Sequence, residues 1–259
     1  MDKTRRLIYK KSIMYRFYIH NTAVQGKSAE LSGQDAKHLV NVLRIRCGEI
    51  IELFDGKGLN LTAKVKEITQ GSVKLAVIDT FAPHGESPIH LSLAQGMLKD
   101  RKLDKLIRHL TELGVAEWIP FWGERSVPKP DKKKIQQRMD RWEKIAKESL
   151  KQCRRSLLPL IHAPLSFDQL MDISQDYEIK IAFFENASCS VKSIPNKNSG
   201  SFNKFLVLIG PEGGFSDREM DLAEKYGFQI YSLGPRILRA ETATIAACAL
   251  IQHFFGDLG

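Results

Sequence analysis

The chain has 259 residues, 43% hydrophobic and 27% charged, enough for one large folded core or two modest ones. It has no apolar run of the ~20 residues that a membrane span needs and no apolar leader stretch near its start. Its cysteines (47, 153, 189 and 248) are too scattered for a disulfide framework or a zinc site, so a cytoplasmic protein with reduced thiols, no metal and no membrane partner is expected.

Residues 1–13 read as a basic N-terminal extension, with five basic side chains and one acidic. From Met14 to about Thr80 the runs are short and strand-like: YRFYI (15–19), EIIELF (49–54), LTAKVKEI (61–68) and SVKLAVI (72–78). Turn signals at Asp55-Gly56-Lys57-Gly58 and Gln70-Gly71 separate them. One helix is predicted from about Gln34 to Leu43, with Ser32 as its cap and Leu39, Val40 and Leu43 inward. Residues 14–83 therefore read as a small β-barrel or sheet domain, followed by a linker at FAPHGESP (81–88).

Over 88–259 strands and helices alternate. IHLSLAQ (89–95), VAEWIPF (115–121), KIAFF (180–184), KFLVLIG (204–210) and QIYSL (229–233) read as strands. A helix is predicted over 101–113, and an amphipathic one over 133–150. A Ser216-x-x-Glu219 capping box opens a third, reaching about Tyr226. Residues 193–203 read as a polar loop. The last helix, Glu241 to Phe255, is apolar nearly all round and predicts burial in a core or against a second subunit. This alternation predicts an α/β domain with a parallel sheet. Most of the net charge of +9 sits in residues 1–13 and in 124–155, where twelve basic residues face five acidic. Charge gathered in this way suits a polyanion.

The sharpest local feature is a repeated order of strand, Gly-Pro, loop and helix start, in LVLIGPEGGFS (206–216) and IYSLGPRILRAET (230–242). Ligands of open parallel sheets bind beyond the carboxyl ends of strands, so both loops face one crevice if their strands are close. Gly210, Gly213 and Gly214 permit close backbone approach, while Pro211 and Pro235 stiffen the loops. Main-chain donors and acceptors beside Leu208, Leu233, Ile237 and Leu238 suit an adenine ring. Two ordinary tight turns are the plainer alternative. The chain has no GxGxxG, P-loop or GxSxG motif.

These loops, with HLVNVLRIRCGE (38–49), LFDGKG (53–58), KLIRHLTELGV (105–115) and ERSV (124–127), closely resemble the RsmE family of small-subunit rRNA uridine-N3 methyltransferases, in the SPOUT (trefoil-knot) superfamily. The resemblance implies a PUA-like RNA-binding domain over 14–83, an α/β knot domain over 88–259, S-adenosylmethionine as cofactor, 16S rRNA as substrate and a homodimer. Carried onto this chain, it makes Phe184, Leu208, Gly210, Pro211, Glu212, Gly213, Gly214, Leu233, Gly234, Pro235, Ile237, Leu238 and Ala240 the cofactor residues. Ala240 stands where the family pattern has threonine, and QCRRS (152–156) departs from it as well.

Uridine N3 carries an imide proton, so the site needs a base or groups that stabilise the anion. Arg239 is expected at the uracil oxygens, with Glu241 as base or as orienter of that arginine; for Glu241, capping of a helix start is the alternative. RNA contacts are expected at Arg16, His38, Arg44, Arg46, Arg125 and Arg154, because arginine binds phosphate bidentately and stacks on bases.

Overall fold

A computed structural model describes residues 15–99, 101–126, 132–194 and 204–259. The extension 1–13 and nearly all of the polar loop 193–203 lie outside the described residues. The chain forms two compact units, divided between His84 and Gly85.

The first unit is a six-stranded sheet of order β1-β4-β5-β6-β3-β2 among the described residues. Its strands are β1 (Arg16–Tyr18), β2 (Val24–Gln25), β3 (Ser28–Ser32), β4 (Ile50–Phe54), β5 (Asn60–Ile68) and β6 (Ser72–Phe81). β1 runs parallel to β4, and the other pairs are antiparallel. Alternate residues point inward, so Phe17, Leu31, Ile51, Leu53, Val65 and Val73 share one core with Leu39. The predicted helix is shorter than the sequence suggests. α1 (Gly33–Lys37) gives way to a wider turn over His38–Val42. Ser32 holds the cap position in extended backbone, but its side chain makes no capping hydrogen bond.

The second unit is a parallel sheet of order β10-β8-β7-β12-β11-β13, with β9 also on β8. Its elements are β7 (His90–Gly96), α2 (Lys102–Glu112), β8 (Glu117–Trp122), α3 (Lys132–Cys153), β9 (Leu160–Ile161), β10 (Leu165–Ser166), α4 (Phe167–Ser174), β11 (Ile179–Phe183), β12 (Lys204–Ile209), α5 (Asp217–Lys225), β13 (Gln229–Tyr231) and α6 (Ala240–Phe255). Successive residues of β12 face opposite layers. Phe205, Val207 and Ile209 join one core with α2 and α6, whereas Leu206 and Leu208 join another with Phe167, Phe215 and Met220. The capping box opens α5 as its spacing predicts, and a second one, Ser166 with Gln169, opens α4. The terminal helix buries Thr244, Ala247, Cys248 and Ile251, while Ala246, Ala249 and Leu250 stay half-exposed.

Arg155 is a structural member of the QCRRS segment. Its guanidinium is buried, pairs with Glu86 at 2.9 Å and donates to the carbonyls of Thr111 and Val115. Glu86 also accepts from the backbone amides of Ser156 and Leu157. The chain leaving α3 is thereby fixed by saturated polar contacts.

Candidate active site

β12 and β13 are not adjacent, because β11 lies between them. Register aligns Phe183 with both Ile209 and Tyr231, so three carboxyl ends reach the same level. The segments that follow line one cavity of about 270 Å³. Phe183 to Glu185 form one wall, Ile209 to Glu212 with Gly214 and Phe215 another, and residues from Leu233 to Ala243 close over them. This is the crevice that open parallel sheets offer to ligands.

Buried contacts hold the loops in place. β7 neighbours β12, and a Cβ on Gly96 would lie 2.7 Å from the carbonyl carbon of Gly210, so only glycine permits that approach. The Gln95 amide donates to the carbonyl of Gly210 at 3.2 Å, and its oxygen accepts from Thr244 of α6. Gly214 adopts φ +70°, where a Cβ would meet Glu185 Oε1 at 2.9 Å. Arg125 packs on Gly213 and donates to its carbonyl at 3.2 Å. Buried Glu219 accepts from the backbone amides of Ser216 and Glu124, tying the start of α5 to the end of β8.

Charge gathers at the mouth. The Lys102 ammonium, at the start of α2, hydrogen-bonds Glu212 of the first loop and lies 3.3 Å from Glu241 of the second. Those two carboxylates hold the lysine above its ordinary range, the Glu212 hydrogen bond foremost. Burial alone would raise the Glu241 carboxyl. Its own amide, Lys102 and Arg239 outweigh that, so its pKa is lowered from 4.5. Glu241 Oε2 is buried and has no hydrogen-bond partner. Arg239 occupies the cap position of α6 and lines the cavity, as does Arg236.

Most residues singled out from the sequence meet here: Phe184, Gly210, Pro211, Glu212, Gly214, Leu233, Gly234, Ile237, Leu238, Arg239, Ala240 and Glu241 all line the cavity. Leu208 does not. It is fully buried on the opposite face of β12, because side chains alternate along a strand and Ile209 takes the cavity side. Gly213 and Pro235 also stand outside the wall. Lys102, Phe183, Glu185, Ile209, Phe215, Arg236 and Ala243 join it without having been singled out. For Ile209 the period of two along β12 was a usable signal; Lys102 follows a different strand, and no local pattern marks it. Ala240 opens α6, and its carbonyl oxygen lies 2.8 Å from Thr244 Oγ1.

The six expected RNA contacts divide. Arg16 is a core residue of the first unit: it donates to Asn60 at 3.0 Å, lies 3.9 Å from Glu52 and stacks 4.3 Å over Phe54, with its side chain 6% exposed. Pairing with a buried carboxylate and an aromatic face takes it away from solvent. His38, Arg44 and Arg46 are exposed in the same unit. In the second unit Arg154 is exposed, and Arg125 is exposed but committed to the first loop. No helix among the described residues is long and apolar enough to cross a membrane.

Comparison with known proteins agrees with this geometry. Residues 85–252 match the model of an RNA methyltransferase domain, and residues 31–78 that of an RNA methyltransferase PUA domain. The chain is 32% identical over 252 residues to ribosomal RNA small subunit methyltransferase E of Bacillus subtilis, covering 93% of this chain and 96% of that one. A methyltransferase structure from Legionella pneumophila with bound cofactor SAM superposes with a TM-score of 0.85 at 32% identity, covering 95% of this chain and all of that one. The Neisseria gonorrhoeae ribosomal RNA small subunit methyltransferase E, bound to S-adenosyl methionine, gives 0.83 at 30% identity with the same coverage.

Proposed function

Since the chain belongs to the ribosomal RNA small subunit methyltransferase E family, we propose that it transfers the methyl group of S-adenosylmethionine to N3 of one uridine in 16S rRNA of the small ribosomal subunit. Its second unit is the α/β knot (SPOUT) fold and its first the PUA-like fold that the sequence resemblance implied. General topology rules do not predict a knot, because they argue against threaded chains. In this reading the protein works in the cytoplasm as a homodimer, joined through the half-exposed apolar face of α6.

One observation carries the functional reading: two Gly-Pro loops and the end of β11 close over one cavity with apolar walls and charged groups at its mouth. Phe184, Leu233 and Leu238 would flank an adenine ring, and the main chain of 210–214 and 233–240 would meet its polar edge. When bound, S-adenosylmethionine supplies a methyl group on a cationic sulfonium, a good leaving group for in-line attack. The chain's own groups orient the uracil and handle its charge. Arg239 stabilises the oxygen on which negative charge collects as N3 loses its proton. Glu241 fits orientation better than proton abstraction, since a carboxyl held below 4.5 is a weak base at neutral pH. The chain's part is then to stabilise the uracil anion through Arg239, with the imide proton passing to solvent water at the open mouth of the cavity.

Exposed Arg44, Arg46 and His38 of the first unit and Arg154 of the second are the proposed RNA contacts. The test is methylation of small-subunit particles and naked rRNA with labelled cofactor, followed by nucleoside mass spectrometry. The reading expects 3-methyluridine; label on a ribose 2′-oxygen or on another base contradicts it.

A further inference from the structure

We propose that Lys102 is a positioning residue of the methyl-transfer site: from the start of α2 it clamps Glu212 of the first loop to Glu241 of the second, and so sets the shape and charge of the cavity mouth. The inference rests on the methyltransferase reading above and adds a residue from outside both loops.

Three observations carry it. First, Lys102 touches a carboxylate on each loop, at Glu212 Oε1 and, 3.3 Å away, at Glu241 Oε1, while itself lining the cavity. Among the described residues, no other ion pair joins the two loops. Second, Glu241 is held by its own backbone amide and by Lys102: Oε2 is buried without a partner, and the side chain is 27% exposed. Third, α2 follows β7, whose end is locked against Gly210 by Gly96 and Gln95. The ammonium thus projects from a braced element toward two loops that lack regular structure.

Charged groups from every surrounding element line the cavity with Glu241: Lys102 from α2, Glu212 from the first loop, Arg236 and Arg239 from the second, and Glu185 from the end of β11; of these, Lys102 and Arg239 act on its carboxyl directly. Without Lys102, the cavity would be lined by three carboxylates and two arginines. Glu241 and Glu212 would repel each other, Glu241 would take up a proton more readily, and the loops would lose their common tether.

The experiment compares wild type with Lys102→Met and Lys102→Arg, measuring S-adenosylmethionine affinity by calorimetry and single-turnover methyl transfer to 16S rRNA across pH. Half-exposed ion pairs are individually modest, so Lys102→Met is expected to lower the transfer rate at saturating cofactor roughly tenfold. Its acid limb should move to higher pH, and Lys102→Arg should restore most of both. A merely structural lysine would weaken cofactor binding or thermal stability without moving the pH limb. That result, or a wild-type rate in Lys102→Met, overturns the proposal. A wild-type protein that transfers no methyl to RNA instead overturns the reading on which it rests.

Discussion

The two ends of the parallel sheet treat a carboxylate in opposite ways. At the amino end, Glu117 begins β8 and is saturated. Ser92 Oγ donates to it at 2.6 Å, His162 Nε2 lies 2.6 Å away, Tyr177 donates its hydroxyl, and His90 stands at 3.5 Å. At the carboxyl end, Glu241 keeps one oxygen without a partner beside an open cavity. Burial would raise both carboxyls, and both are nonetheless held low, Glu117 by four side-chain hydrogen bonds and Glu241 by its own amide and a lysine. The contrast separates structure from function: a polar group with every partner filled has nothing left to offer a ligand, whereas an unfilled one at a cavity does.

The largest expected effect follows from the saturated end. Glu117→Ala strands a tyrosine, a serine and two histidines, and should cost about 3 kcal/mol of stability, read by urea unfolding, with methyl transfer per folded molecule unchanged. A loss of transfer without loss of stability would break the comparison. At the open end, Arg239→Ala should reverse that pattern. Transfer should fall roughly a hundredfold, as when one oxyanion donor is removed, with the urea midpoint close to wild type.

A pH titration sharpens the contrast. The folded Glu117 carboxyl lies below its unfolded value, so its contribution to stability is complete above about pH 4.5 and is lost as the pH falls below that toward the folded value. Wild type should therefore lose stability below about pH 4.5, and Glu117→Gln should lose much less over the same range; parallel curves would remove the carboxylate from the account. The smallest effect concerns RNA. Arg46→Ala should weaken binding a few-fold and lower the salt slope by about one. Arg16→Ala should instead destabilise the first unit, since that guanidinium is already spent on Asn60, Glu52 and Phe54.

What the sequence reveals follows the range of each interaction. Elements with strong period and local punctuation are legible to within a residue or two: α2, the Ser216 capping box and β12 are examples. Weakly patterned segments are not, so the β2–β3 hairpin and α4 go unpredicted. In the site, both loops are readable because each carries its own Gly-Pro signal. Leu208 points away from the cavity because side chains alternate along β12, a period that the sequence itself carries. Lys102, Gln95 and Glu185 have no local signature. They reach the site because β7 and β11 flank β12, and strand order is a long-range property. The burial of Arg16 is illegible for the same reason, since its partners Glu52 and Asn60 come from two other strands.

The most direct measurement is single-turnover transfer of labelled methyl from S-adenosylmethionine to 16S rRNA, run side by side for wild type, Arg239→Ala and Glu117→Gln below the unfolding temperature of each. The account predicts equal transfer by wild type and Glu117→Gln and a near-complete loss in Arg239→Ala. No transfer by wild type, or the same loss in both variants, would contradict it.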